Sequence, residues 1–514
     1  MSRYLANHTV LLVIFFGYLV YFPITLLRRP IWDGALSRFA MSNSYEMLNK
    51  EALDYGFPSQ YLHEIVLVSF SKLLRLDYYS LYNIAIALSL GGIFQLMLIL
   101  ARKLQIEPRN KRDEIVAGFI VVTYPPLHTI YTTQNFVWIL CILILLTGII
   151  ALFHGNQVIK FFGVILIAYS FQMASLPFVF LPIYWWYCWK FKRKNFVNHV
   201  VFSSILSASV LILFRVILFP PQNLYIHYNE IAFNKHFVKM TAINVINFSL
   251  FTFIFLILIL GLNGKSIRLR KESVFKLFNR PDLIFITLIY LGSCFPYVMA
   301  NKSPKPIDFY DWSWRHAIVL LVPLTLLTLK LRTKKQAPVE VKKFNNQRII
   351  QSTAITLFVS VASLSNYGHV QSMVYDKMVI ELLSDNKGFW TKSEIVCFES
   401  SVNRINVARF YELNELAWES TGETNWQFYP DARCNSQDIP SGSLRNSPQL
   451  SGMTDTQWKN VYMGGTGNSK WVAIRISGHL DFLDVLSGTF GGDNNPLKIR
   501  FSELENGSYK GSDE

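Results

Sequence analysis

A carboxylate lying just past an apolar run of membrane-spanning length is placed for proton chemistry at a membrane surface. Asp33 is such a group: it stands in Pro30-Ile31-Trp32-Asp33-Gly34, a few residues beyond the run from His8 to Leu27. Trp32 suits the interface between hydrocarbon and water. Held at headgroup level, Asp33 could draw a proton from a hydroxyl as a general base. Asp is also a preferred helix N-cap, and a surface helix starting at Ala35 would use it that way.

Other polar groups fall on the same side of the apolar runs. Arg38, His63 and Glu64 lie in the segment that follows Asp33. Arg215 interrupts the apolar run 211–219 near its end, and Tyr310, Arg315 and His316 sit in Asp308-Phe309-Tyr310-Asp311-Trp312-Ser313-Trp314-Arg315-His316. Arginine grips phosphate through paired N–H groups, which makes Arg215 and Arg315 candidates for a phosphate headgroup. Snorkelling to ordinary lipid phosphates accounts for them equally well. His227 and His236 have no metal-ligand spacing. Scattered carboxylates leave a divalent ion open without selecting one, so no metal ligand and no certain cofactor is assigned. Gly464-Gly465-Thr466-Gly467 lacks the lysine and spacing of a P-loop and reads as a hairpin turn.

The elements that position these groups follow from composition. The 514 residues are 51% hydrophobic, 15% aromatic and only 16% charged, against about a quarter charged in soluble domains. The mean hydropathy is +0.28. These values exclude a disordered chain and define a mainly α, polytopic membrane protein. Apolar runs cover 8–27, 79–101, 115–130, 135–153, 160–175, 176–189, 199–219, 241–263, 282–300, 316–331 and 349–365, giving about eleven spans.

The net charge of +15 is topological. Four basic clusters, at 102–112, 190–194, 265–280 and 330–348, share one side if the amino terminus is cytoplasmic and there are eleven crossings. Nucleic acid is not needed to explain them. Arg28-Arg29 is a dissenting pair. Tyr61–Leu74 is short and carries His63, Glu64 and Lys72, so it is expected to lie along the outer interface as an amphipathic helix. The first outer loop then spans 28–78 within a transmembrane domain of residues 1–366.

After Asn366 no run of spanning length remains. Residues 367–514 show strand patterns at Glu394–Phe398 and Trp471–Ile476 and a helix pattern at Asn406–Trp418. They are expected to form a soluble α+β domain outside the cytoplasm. Cys397 and Cys434 are its two cysteines, compatible either with a disulfide or with free thiols.

The first half resembles the GT-C superfamily of integral membrane glycosyltransferases, in particular the protein mannosyltransferase and lipid A aminoarabinose transferase branch. The resemblance rests on order: one span, then WDGALSRFAMSNSYEML, then DYGFPSQYLHEIVLVSFSKLLRL, then DYYSLYNIAIALSLGGIFQLMLILARKL. IVAGFIVVTYPPLHTIYTTQNFVWILCILILLTGIIAL is similar to the next helix pair of the family, with Asn135 where an acidic residue is common. WSWRHAIVLLVPLTLL is similar to its late basic and proline-bearing helix. Residues 8–335 are covered. The branch typically has Asp-Glu where this chain has Asp33-Gly34, leaving the base role to Asp33 alone.

The resemblance implies transfer of a sugar from a polyprenyl-phosphate donor to an extracytoplasmic acceptor: a glycan, a lipid or a protein. Asp33 would act as base and an arginine would stabilise the departing phosphate. Expected partners are that donor, membrane lipids and the acceptor, without nucleic acid. The expected location is a bacterial inner membrane with the carboxyl-terminal domain in the periplasm, in keeping with work on cell-envelope glycans. The competing readings are a polysaccharide polymerase or ligase, and a non-enzymatic scaffold or transporter with an outer binding domain.

Overall fold

The structure is a computed structural model. It describes residues 2–27, 29, 56, 58–76, 78–106, 111–133, 136–220, 235–262, 281–331, 341–391, 395–402, 404–405, 410–422, 427–429, 471–492 and 495–504. In chain order the helices are α1 (Ser2–Val20), α2 (Phe22–Leu27), α3 (Pro58–Leu74), α4 (Tyr78–Lys103), α5 (Lys111–Thr123), α6 (His128–Thr133), α7 (Phe136–Leu152), α8 (Gln157–Ser170), α9 (Leu176–Phe191), α10 (Phe196–Ile212), α11 (Lys235–Leu262), α12 (Pro281–Met299), α13 (Leu321–Leu331) and α14 (Val341–Asp385). The carboxyl-terminal part adds α15 (Lys387–Trp390), β1 (Ile395–Ser400), α16 (Phe410–Thr421), β2 (Gln427–Tyr429), β3 (Trp471–Ser477), α17 (Phe482–Thr489) and β4 (Lys498–Leu504).

The chain is mostly helical, and five of its described helical segments are long and apolar enough to cross a membrane: Tyr78–Lys103, Phe196–Leu218, Phe237–Leu262, Pro281–Met299 and Ile349–Asp385. Their faces away from the bundle carry exposed Phe202, Ile205, Phe253 and Leu291, as lipid-facing helices do. The remaining apolar runs fall on shorter helices or on broken ones.

The run 115–130 is one of the broken ones. Tyr124 and the Pro125-Pro126 pair end α5, because proline supplies no N–H and restricts the residue before it. A 3-10 turn over Pro125–Leu127 leads into α6, and the path from Pro125–Tyr131 to α7 bends by 117°. Carbonyls freed by such a break must be satisfied where water is scarce. Tyrosines do this: Tyr21 Oη donates to Tyr124 O at 2.9 Å, Tyr79 Oη to Tyr131 O at 3.0 Å and Tyr82 Oη to Ile130 O at 3.3 Å. Tyr124 Oη in turn donates to Ala317 O at 2.7 Å, tying the break to the segment that carries Arg315.

Close helix contacts are made through small residues, as membrane packing favours. At Gly148 of α7 an added Cβ would stand 2.9 Å from Gly163 O of α8; at Gly292 of α12 it would stand 2.1 Å from Phe178 O of α9.

The carboxyl-terminal part contains a four-stranded sheet of order β2-β1-β3-β4. β1 is parallel to β2 and to β3, and β3 is antiparallel to β4, with Val396 opposite Val472 and Ile474 opposite Phe501. The strand and helix patterns read from sequence in this region correspond to β1, β3 and α16. Its core joins Val396, Val472 and Ile474 to Leu413 and Leu416 of α16 and to Met373, Val374 and Val379 of α14. The boundary drawn at 366/367 falls inside one continuous helix. α14 has 45 residues and so runs about 67 Å, twice the hydrocarbon thickness of about 30 Å. Its first half is apolar enough to cross a membrane and its second half is a wall of the sheet domain.

A buried ion network fastens the two parts. Arg404 grips Asp376 of α14 with Nε at 3.0 Å and Nη2 at 2.9 Å. Arg29, just past α2, reaches the same carboxylate at 3.6 Å, Glu415 of α16 at 3.9 Å, and Glu419 in a short hydrogen bond. One member of the dissenting Arg28-Arg29 pair is therefore neutralised inside the protein.

Candidate active site

The carboxyl ends of α10 and α12 and the 3-10 segment Trp312–Leu320 converge. Between them lies a cavity of about 460 Å³. Trp138, Met173, Phe178, Leu211, Phe295 and Tyr297 supply its apolar walls, and Arg215, Lys302, Arg315 and His316 supply its polar side.

Each cation is placed by a local device. α10 continues into a π-helical turn, Leu213–Leu218, that carries Arg215; such turns reset which side chains face inward. Arg215 Nη1 donates to Gly56 O at 3.1 Å, which brings the part of the first loop just before α3 to the cavity rim. α12 ends in a Schellman motif with Asn301 at φ +57°: Asn301 N–H donates to Val298 O at 3.1 Å and Lys302 N–H to Tyr297 O at 2.8 Å. This reversal returns Lys302 towards the bundle. The turn is pinned from α11, where Asn244 Nδ2 donates to Asn301 Oδ1 at 2.9 Å and Asn244 Oδ1 accepts from Ser303 Oγ at 2.7 Å.

The loop then closes on itself. Asp311 caps the 3-10 segment, its Oδ1 accepting from Ser313 N at 2.6 Å, and its Oδ2 accepts from Lys305 Nζ at 2.6 Å. Burial pushes this carboxyl up, but the hydrogen bonds from Lys305 and Ser313 and the lysine charge together hold it below its usual range. Trp314 Nε1 donates to Lys305 O at 2.8 Å. Arg315 and His316 are buried, with Arg315 Nε donating to His316 Nε2 at 3.4 Å. Accepting at Nε2 leaves the imidazole proton on Nδ1, and that buried nitrogen has no partner among the described residues. It is a donor lacking an acceptor, in the wall of a cavity rich in cations.

Burial, followed by repulsion from Arg315 and Arg215, pushes the Lys302 ammonium down to about 7. Arginine guanidinium groups and a lysine ammonium facing one cavity are chemistry suited to a phosphate or a carboxylate.

A second, almost wholly apolar cavity of about 560 Å³ lies along α9, α11 and α12, lined by Trp185, Phe248, Leu288 and Leu291 among others. Phe178 and Phe295 line both cavities. The pair forms a cationic chamber with an apolar annex.

Of the residues singled out in the sequence, Arg215, Arg315 and His316 meet in one cavity. Tyr310 does not line it; its ring lies on Gly368 of α14, 2.2 Å from where a Cβ would stand. Asp33, Arg38 and Asn135 lie outside the described residues, as do Gly464–Gly467 and Cys434. His63 and Glu64 fall on α3, their side chains outside what is described. Lys302 is the member that sequence reading missed. No group of three His, Cys, Asp or Glu side chains suited to a metal ion occurs among the described residues. Cys141, Cys188 and Cys294 are buried free thiols.

Comparison with protein-family models, characterised proteins and solved structures finds no match to this chain.

Proposed function

We propose that this protein is a multi-pass membrane glycosyltransferase that moves a sugar from a polyprenyl-phosphate donor to an extracytoplasmic glycan, lipid or protein. The observation that carries the reading is the cavity itself: three cationic side chains and an imidazole donor set in apolar walls, beside an apolar annex that shares Phe178 and Phe295 with it. That combination suits a ligand with an anionic head and a hydrocarbon tail. In this reading the eleven-span topology holds, the cavity end of the bundle is the outer face, and α3 lies along that interface.

The acceptor hydroxyl oxygen attacks the sugar's anomeric carbon and the bond from that carbon to the phosphate oxygen breaks. Asp33 takes the hydroxyl proton. The polyprenyl phosphate leaves with the electron pair, and Arg215, Lys302 and Arg315 stabilise its growing charge. No nucleotide site is required. Asp33 belongs to the loop that Arg215 holds through Gly56, which supports its delivery to the cavity mouth.

A transporter would use a broken helix to line a substrate path with free backbone groups. The break at Pro125-Pro126 instead has its carbonyls covered by tyrosine hydroxyls, which favours a structural role for it.

The test is sugar release or transfer by the purified full-length protein in lipid nanodiscs, offered polyprenyl phosphosugars. Asp33→Asn keeps size and capping capacity while removing the base, and should lower turnover by about 10²–10⁴-fold. Near-normal turnover would make Asp33 a helix cap. Consumption of no lipid-linked sugar by the wild type would move the protein to the scaffold or transporter class.

A further inference from the structure

We infer that α17 is a membrane-interface helix that seats the carboxyl-terminal domain on the lipid surface. α17 opens with a reciprocal capping box, Asp481 Oδ1 accepting from Asp484 N at 2.8 Å and Asp484 Oδ2 from Asp481 N at 3.0 Å. It is therefore a properly started helix despite its length. Its inner face, Val485, Gly488 and Thr489, is buried. Gly488 lets it press on α14, where a Cβ would stand 2.6 Å from Val374 Cγ1. Its other face shows Phe482, Leu483, Leu486 and, just past its end, Phe490, with exposures of 62, 68, 44 and 65%. Four large apolar side chains on one short helix are more than scattered surface hydrophobes and mark an interaction face.

The occupant follows from height along the bundle. Phe482 lies against Tyr367 of α14, with ring centroids 5.9 Å apart and the rings tilted. Tyr367 is one residue beyond Asn366, whose Nδ2 donates to Val20 O at the end of α1 at 2.8 Å. At and beyond that level the first span still shows lipid-type side chains: Leu19, Phe22 and Leu26 are exposed, and α2 itself packs against α17. The apolar face of α17 is thus continuous with the apolar outer surface of the spans. The loop whose Tyr310 lies on Gly368 adds an exposed Ile307. A partly buried amphipathic helix at the end of a span is the geometry of interfacial insertion. The bilayer, not a second protein, is the partner this continuity selects.

The experiment uses the full chain in nanodiscs of phosphatidylethanolamine and phosphatidylglycerol. A nitroxide is attached through Leu483→Cys, and separately through Phe490→Cys. Ser400→Cys on the exposed end of β1 is the aqueous control, and labelled wild type corrects for native thiols. Collision with oxygen should be several-fold favoured over collision with a water-soluble nickel chelate at 483 and 490, with the reverse at 400. Nickel accessibility at 483 and 490 equal to that at 400 would show a water-facing helix and overturn the inference. Protection from both reagents would overturn it too, by placing protein on that face. These outcomes do not depend on whether the protein transfers sugar.

Discussion

At the scale of single residues, the cavity cations make a claim about pH. Lys302 titrates near 7 because burial and then the charges of Arg315 and Arg215 oppose its protonation. An anionic ligand favours the protonated amine, so binding takes up a proton and affinity must fall as pH rises through that value. A polyprenyl phosphodiester keeps a constant charge over the range and isolates the protein's contribution. Its affinity should weaken with rising pH in the wild type and stay flat in Lys302→Arg, which remains charged throughout. Titration calorimetry in nanodiscs reads the difference; parallel pH profiles would remove Lys302 from the site. Arg215 and Arg315 were legible because charge inside or against an apolar run is conspicuous. His316 was legible through its neighbour. Lys302 was not, because its role comes from a backbone reversal at Asn301 that no residue pattern announces.

At the scale of elements, the cavity wall depends on how closely α9 and α12 approach. A Cβ on Gly292 would stand 2.1 Å from Phe178 O, so Gly292→Ala must part the two helices. Overpacking of this kind costs about 1–3 kcal/mol, and the lining residue Phe178 moves with it. The variant should show a lower thermal midpoint in detergent together with weaker lipid-phosphate binding. Gly155→Ala, where an added Cβ meets nothing within 4 Å, should leave both unchanged or slightly raise stability. Equal behaviour of the two variants would contradict the packing argument. Apolar run length located most helices, since hydrophobic length is a composition property. It did not locate the break at Tyr124-Pro125-Pro126, because apolar residues continue on both sides. Nor did it reveal that α14 runs unbroken past Asn366: helicity persists there although the apolar stripe gives way to buried Asn366, His369, Ser372 and Asp376.

At the scale of the whole molecule, Arg29 links the start of the first loop to both α14 and the sheet domain. Removing one partner of a buried charge network leaves the others uncompensated, typically at about 3–5 kcal/mol. Arg29→Met should therefore destabilise the protein by that order in thermal unfolding; an unchanged midpoint would show the network to be incidental. The pair Arg28-Arg29 looked discordant in sequence because the positive-inside rule counts charges without seeing their partners, and Asp376, Glu415 and Glu419 lie hundreds of residues away. The strands and the helix of the sheet domain were readable from their local patterns, whereas its attachment to the spans is a long-range property. The central claim, that the cationic chamber and its annex hold a lipid phosphate, is tested most directly by cryo-electron microscopy of the full chain in nanodiscs with added polyprenyl phosphate. The account predicts phosphate density within hydrogen-bonding reach of Arg215, Lys302 and Arg315, with the tail leaving between Phe178 and Phe295. A chamber empty of lipid phosphate at saturating ligand, or phosphate bound elsewhere, would contradict it.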